Sequence, residues 1–328
     1  HLSHLFELPL ETGARQQRIK VSLGVAVHPE SGHGADELLS NAHLALSRAK
    51  TDRRGSHVIF ESAIRHELEQ RLTLEAELAL AVERKEFELF YQAQCNLRTR
   101  RLSGFEALLR WRHPDKGMIS PADFIPVAED IGLIVPLGEW VLREACHEAA
   151  KWPDGIKLAV NLSAVQFRSR NLVQVVMQAL AQSALAPERL ELEITESILL
   201  AETEANLATL HQLRQLGIRI SMDDFGTGYS SLSYLRSFPF DKIKIDRSFV
   251  KDLAQRSDCL AIVRAISGLG KSLNIITTAE GVETSDQLDW LRAEGCNQVQ
   301  GFLFSAAKPA SEIPGLLAQF GARASKAA

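Results

Sequence analysis

Residues 190–246 read LELEITESILLAETEANLATLHQLRQLGIRISMDDFGTGYSSLSYLRSFPFDKIKID. Three apolar runs of strand length, Leu190–Ile194, Arg219–Met222 and Lys242–Ile245, are separated by a helical pattern over Glu204–Leu216 and by a turn containing Gly226 and Gly228. Strands that alternate with helices build a parallel sheet, because a parallel neighbour is reached only through a crossover. Each run also carries charge at or near its C-terminal end: Glu193, the pair Asp223 and Asp224, and Lys244. A charge inside an apolar run is costly unless paired, so its recurrence at one end of successive strands marks a site.

The same pattern extends in both directions. Phe87–Gln94, Leu102–Leu109 and Lys157–Leu162 precede this stretch, and Asn274–Thr278 and Gln298–Phe302 follow it. Further helical spacing covers Leu137–Lys151, Leu172–Gln182, Leu260–Leu269 and Ser285–Ala293. Eight strand candidates with interleaved helices predict an α/β fold, a closed (β/α)8 TIM-like barrel rather than an open sheet. Only Asn96–Arg101 separates the first two strands, so a hairpin there makes one strand antiparallel. Glu106 lies in FEALLRW, Asn161 in LAVNLS, Glu280 follows NIITTA and Gln300 sits in QVQGF. Together with Glu193, Asp223, Asp224 and Lys244, they put seven strands to work at one barrel mouth.

Composition narrows the function classes. The 328 residues are 45% hydrophobic and 24% charged, within the range of folded globular chains. Lys and Arg total 37 against 41 Asp and Glu, a net charge of −4 that argues against binding a nucleic-acid polymer. Cys95, Cys146, Cys259 and Cys296 are far apart and form no CxxC pair, which reads as reduced thiols. Apolar runs fall short of the ~18 residues of a membrane span, so a cytoplasmic chain without direct membrane contact is expected. The chain opens on His1 in the middle of a pattern, as a piece of something longer would. Residues 1–60 read as a small α/β fragment, with a strand in Arg18–Val27, a helix over Ala35–Lys50 and a strand at His57–Phe60. Residues 61–84 form a connecting helix without Pro or Gly, and residues 85–328 form the barrel.

Five carboxylates converging on one mouth call for cations. Oxygen donors without His or Cys suit two Mg²⁺ or Mn²⁺ ions, an arrangement able to hydrolyse a phosphodiester. Asp223 and Asp224 are neighbours and face opposite ways on a regular strand, so both reach the site only where the strand ends. The FGTGYSS that follows supplies a mobile loop. Lys244 is either a salt-bridge partner or a group that orients the attacking water. Arg110, four residues after Glu106, has the planar fork that suits a phosphate. His113 has no ligand or nucleophile near it in sequence and reads as structural.

FEALLRW, NLSAVQF, LELEITES, SMDDFGTGYSSL, KIKID, AEGVET and QGFLFS, in that order, resemble an EAL-domain phosphodiesterase for cyclic di-GMP over Leu72 to Leu317. The resemblance implies metal ligation by Glu106, Asn161, Glu193, Asp223, Asp224 and Glu280. It implies a catalytic set of Lys244, Glu106, Asp223 and Glu280, with Arg110, Gln300 and Gln92 toward the substrate and Glu196 and Glu283 anchoring loops. The product is then linear pGpG, Mg²⁺ or Mn²⁺ the cofactor, and a homodimer the expected assembly. Ca²⁺ is expected to bind without supporting catalysis. VSLGVAVHPESG with ADELLSNAHLALSRAK is similar to the C-terminal part of a GGDEF domain, with His43 and Ser47 replacing the family's Asp and Tyr. The alternative function is a catalytically silent cyclic di-GMP receptor that signals through the connecting helix.

Overall fold

A computed structural model of the chain describes residues 10–12, 15–17, 20–52, 55–196, 198, 204–226, 238–253 and 255–326. The chain divides into two units, His1–Leu78 and Ala79–Ala328. In the first, β1 (Leu10–Thr12) and β2 (Arg15–Gln17) form an antiparallel hairpin that the sequence pattern does not announce. β3 (Leu23–Val25) pairs in parallel with β4 (His57–Ile59), and the helix Ala35–Asp52 lies between them in sequence. That helix lies so close to β3 that a Cβ on Gly24 would collide with the Ala42 carbonyl oxygen. Of the strand expected over Arg18–Val27, the described residues are regular across Leu23–Val25, and residues 18 and 19 lie outside the described residues. The helix Ser62–Glu83 spans the division at Leu78.

The second unit is a closed barrel. Its strands are β5 (Phe87–Asn96), β6 (Leu102–His113), β8 (Lys157–Leu162), β9 (Leu190–Thr195), β10 (Arg219–Phe225), β11 (Lys242–Ile245), β12 (Ile276–Ala279) and β13 (Gln298–Gln300). Two short antiparallel additions, β7 (Gly117–Ile119) on β6 and β14 (Lys308–Pro309) on β5, extend it. Pairing runs β5-β6-β8-β9-β10-β11-β12-β13 and returns from β13 to β5. β5 is antiparallel to both neighbours, and the other pairings in the ring are parallel. The hairpin at Asn96–Arg101 therefore reverses one strand, as its length requires.

Period-two alternation explains where the core lies. Tyr91, Ala93, Phe105, Ala107, Leu158, Val160, Leu190, Leu192, Ile220, Met222, Ile243 and Ile245 join the apolar core with helices such as Ile134–Ala149 and Leu172–Ser183. The alternate positions, Gln94, Glu106, Glu191, Glu193, Ser221, Lys242, Lys244, Thr278, Gln298 and Gln300, are buried as well. The barrel thus has an apolar outer layer and a polar lumen, where many barrels fill the lumen with branched apolar side chains. All four cysteines are free and buried. His113 is buried against Trp111 and accepts from the backbone N–H groups of Asp115 and Lys116.

Trp152 locks the outer layer, its ring edge-on to Tyr91 and Phe105 at 5.5 and 5.0 Å and its indole N–H donating to Glu148. Trp152→Ala is expected to lower the barrel's stability by about 3–5 kcal/mol in chemical denaturation.

Candidate active site

All eight barrel strands deliver a polar side chain to one mouth: Gln92 from β5, Glu106 from β6, Asn161 from β8, Glu193 from β9, Asp223 and Asp224 from β10, Lys244 from β11, Glu280 just past β12 and Gln300 from β13. All but Glu193 line a cleft of about 540 Å³. Glu193 lies at its floor, bonded to Lys244. Lys244 Nζ is the hub, 2.6 Å from Glu193 Oε2, 2.6 Å from Glu280 Oε1, 3.2 Å from Asp223 Oδ2 and 3.7 Å from Glu106 Oε1. The acids are therefore partly compensated within the chain, by the salt-bridge role that was one of two the sequence left open for Lys244. One ammonium against Glu106, Glu193, Asp223, Asp224 and Glu280 still leaves an excess of negative charge.

Burial and that excess together set protonation. Burial works against charge on Lys244, yet Glu106, Glu193, Glu280 and Asp223 outweigh it and hold the ammonium well above its usual range. Burial raises the Glu193 carboxyl well above normal, with Lys244 opposing and Glu106 and Asp223 adding to the rise. Burial likewise lifts Glu280 to about 7 against the pull of Lys244. Asp224 is raised by burial and by Asp223 beside it. Glu106 goes the other way: burial pushes it up, but Lys244 and hydrogen bonds from Gln300 and Asn161 hold it low.

Both aspartates reach the mouth by a route the sequence reading did not contain. β10 does not stop at Met222; it continues to Phe225, and its register against β11 shifts between Met222 and Phe225. Asp224 sits in the left-handed region at φ 54°, a conformation Asp tolerates better than most residues. This bulge turns neighbouring carboxylates toward one place, as bulges beside active sites do. The Asp224 N–H donates to Asp223 Oδ1 at 2.9 Å. Oxygens of Asp223, Asp224 and Glu280 consequently lie within 4.8 Å of one another.

This donor set fits a divalent cation on two observations. Three carboxylates offer hard oxygens at metal-binding spacing without His or Cys. Glu193 Oε1 is buried without a hydrogen-bond partner among the described residues. Glu106 faces Lys244 and Asn161 rather than the trio, and Asn161 Nδ2 donates to Glu106 Oε1 at 2.6 Å.

Arg110 lies on the same β6 face as Glu106, four residues toward the mouth. Its guanidinium lies 5.7 Å from the Phe90 ring centroid, beside a recess of about 330 Å³ that Asn161, Asp223 and Asp224 share with the main cleft. Glu283 lines the main cleft. Glu196 directly follows β9 and is buried, while the FGTGYSS segment from Thr227 onward lies outside the described residues. Sequence reading missed Asp246, Arg247 and Phe302 at the cleft and the Glu191–Lys242 pair beneath it. A signal was present: Asp246 ends its strand as the other acids do, and Glu191 and Lys242 precede Glu193 and Lys244 by two residues, on the same face.

A (β/α)8 barrel with one reversed strand and an acidic mouth defines the class. Residues 75–307 match the EAL domain family, and the chain belongs to it. It is 44% identical to the bifunctional diguanylate cyclase/cyclic di-GMP phosphodiesterase MucR of Pseudomonas aeruginosa over 93% of this chain and 45% of that protein. It is 39% identical to the cyclic di-GMP phosphodiesterase NbdA of the same organism, over 93% of this chain and 40% of that protein. The chain thus spans less than half the length of these relatives. Among solved structures it is similar to the PaMucR phosphodiesterase in complex with c-di-GMP, at 47% identity and TM-score 0.71, covering 74% of this chain and 99% of that one. It is also similar to Klebsiella pneumoniae BlrP1 in a calcium/cyclic di-GMP complex, at 32% identity and TM-score 0.61, covering 69% of this chain and 56% of that one.

Divalent ions are expected to stabilise the chain by about 2.7 kcal/mol at a hundredfold excess over Kd, read as a rise in Tm that EDTA reverses. Lys244→Met is expected to cost about 3–5 kcal/mol in EDTA, through uncompensated buried carboxylates, and less with saturating Mn²⁺ in the same melt.

Proposed function

We propose that the chain hydrolyses cyclic di-GMP to linear pGpG. The observation that carries this reading is one cleft receiving a polar side chain from every barrel strand, in a chain related over nine-tenths of its length to proteins named as cyclic di-GMP phosphodiesterases. Asp223, Asp224 and Glu280 would hold a divalent ion, with Glu106, Asn161 and Glu193 completing a site for two. Bound Mg²⁺ or Mn²⁺ supplies Lewis acidity, which acidifies water and neutralises phosphate charge. Ca²⁺ would occupy the same oxygens without supporting turnover.

The protein's own groups then divide the work. Arg110 offers a forked pair of donors to one phosphate. Lys244 stays charged through its four carboxylates and provides a fixed positive pole where charge develops on the reacting phosphate. Gln92 and Gln300 face the substrate from the β5–β13 side of the cleft, and the exposed Phe302 at its edge presents a ring for a purine to stack on. Water adds to phosphorus, the P–O3′ bond breaks, and the water's proton ends on the released 3′ oxygen.

Around this core we assign residues 1–60 to the C-terminal part of a GGDEF-like domain, 61–84 to a linker helix and 85–328 to the phosphodiesterase domain. The parallel β3–helix–β4 unit and the match to MucR across 93% of the chain support the first assignment. Glu196 and Glu283 are proposed to anchor the loops at the mouth, and the active form is proposed to be a homodimer in the cytoplasm. Among the described residues no helix is long and apolar enough to cross a membrane.

The deciding experiment is turnover of cyclic di-GMP by the purified chain in Mg²⁺ or Mn²⁺, beside a binding titration in Ca²⁺. Formation of pGpG is expected, whereas tight binding without turnover moves the chain to the receptor class. Glu106→Ala and Asp223→Ala are each expected to lower kcat by about 10²–10³-fold, and Arg110→Ala to act mainly on KM.

A further inference from the structure

Below the mouth, the lumen holds a second pair of charges that the proposed reaction does not touch. Lys242 Nζ lies 2.5 Å from Glu191 Oε1, with side-chain exposures of 2% and 1%. Such a pair adds little net stability over apolar side chains of the same volume, so its place in the lumen calls for another role. Lys242 also donates to Gln94 Oε1 at 3.1 Å. An ammonium has no acceptor, so Gln94 must turn its carbonyl to Lys242 and its NH₂ away. Gln94 Nε2 accordingly donates to Gln300 Oε1 at 3.0 Å. With its carbonyl committed, Gln300 can offer only NH₂ to the mouth, where Nε2 donates to Gln92 Oε1 at 3.0 Å and to Glu106 Oε2. Gln92 passes the direction on by donating to the Ser305 carbonyl at 3.2 Å.

We infer that Lys242, held by Glu191, sets the direction of a relay of three amides, Gln94, Gln300 and Gln92, so that donors rather than carbonyls face Glu106. This rests on the phosphodiesterase reading, in which Glu106 is a metal ligand. A primary amide is nearly symmetric in shape, and without a partner that separates oxygen from nitrogen it can turn over. Turned over, Gln300 would set a carbonyl against the Glu106 carboxylate and lose the bond that aims it. Lys242 and Gln94 are therefore positioning residues, acting on Glu106 through Gln300, as outer partners of metal ligands do.

The test is a calorimetric Mn²⁺ titration of the substrate-free full chain, its Gln94→Met variant and the charge-neutral double variant Glu191→Gln with Lys242→Met. Cooperative melting establishes that each is folded. The relay requires both variants to bind Mn²⁺ about 10-fold more weakly than the wild type, with the Mn²⁺ needed for half-maximal turnover rising alike. A merely structural role lowers Tm and leaves the isotherm of the folded protein unchanged. Folded variants with wild-type isotherms overturn the relay and leave the phosphodiesterase reading standing; a wild type that binds no Mn²⁺ overturns both. If neither variant folds, side-chain amide exchange in the ¹⁵N-labelled wild type decides. Slow exchange at Gln94 and Gln300 relative to exposed glutamines supports the relay, and fast exchange at both overturns it.

Discussion

Four carboxylates gathered around one buried ammonium are the constraint on which the mouth of this barrel depends. Lys244 reaches Glu193, Glu280, Asp223 and Glu106 from a single position on β11. A buried cation of this kind is tolerable only when its partners approach from several directions, and a closed ring of strands provides those directions. The converse also holds. Acids this close repel one another, and the rigid strands that carry them keep them from swinging out to water. Barrel closure and charge clustering therefore support each other, and the charge left over suits the mouth to a divalent ion.

The inversion of the usual barrel layering follows from the same constraint. Apolar side chains on the outer face of the strands supply cohesion against the helices, so the lumen is released from that duty and filled with glutamines, glutamates and lysines. Within the lumen every polar group needs a partner, because an orphan costs about 1–3 kcal/mol. The Gln94, Gln300 and Gln92 amides meet that need in a chain of bonds. Polar satisfaction there produces direction as well as stability.

Much of this was legible in the sequence, for a physical reason. Strand-length apolar runs broken by an acid are rare outside functional sites, so Glu106, Glu193 and Asp223 announced both the strands and the mouth. Three of the strand expectations lie within one residue of the observed bounds at both ends, Lys157–Leu162, Leu190–Ile194 and Lys242–Ile245, and a fourth starts at Arg219 as expected but runs on to Phe225. That extension was hidden because the bulge depends on Asp224 adopting φ 54°, which pairing with β11 imposes and local pattern does not reveal. The compensating role of Lys244 was left open for a related reason: which acids a lysine meets is set by the barrel's closure, not by its neighbours in sequence. Short pieces such as β1, β2 and β14 lack enough residues for any period to emerge.

The reversed strand β5 has a consequence for how the molecule comes into being. β5 pairs early with its hairpin neighbour β6, yet the ring closes only when it also meets β13, which is synthesised about two hundred residues later. The bond between Gln94 and Gln300 spans 206 positions, and that between Gln300 and Glu106 spans 194. Closing so long a loop is slow and comes after local pairing has been won. A growing chain on the ribosome can therefore hold most of its acids in strands, and pair Glu106 with Asn161, while Glu106 still lacks its Gln300 donor. Completion of the cleft and completion of the barrel are one event in this protein, and a chain interrupted before β13 carries the carboxylates of the mouth without the Gln300 bond that aims Glu106.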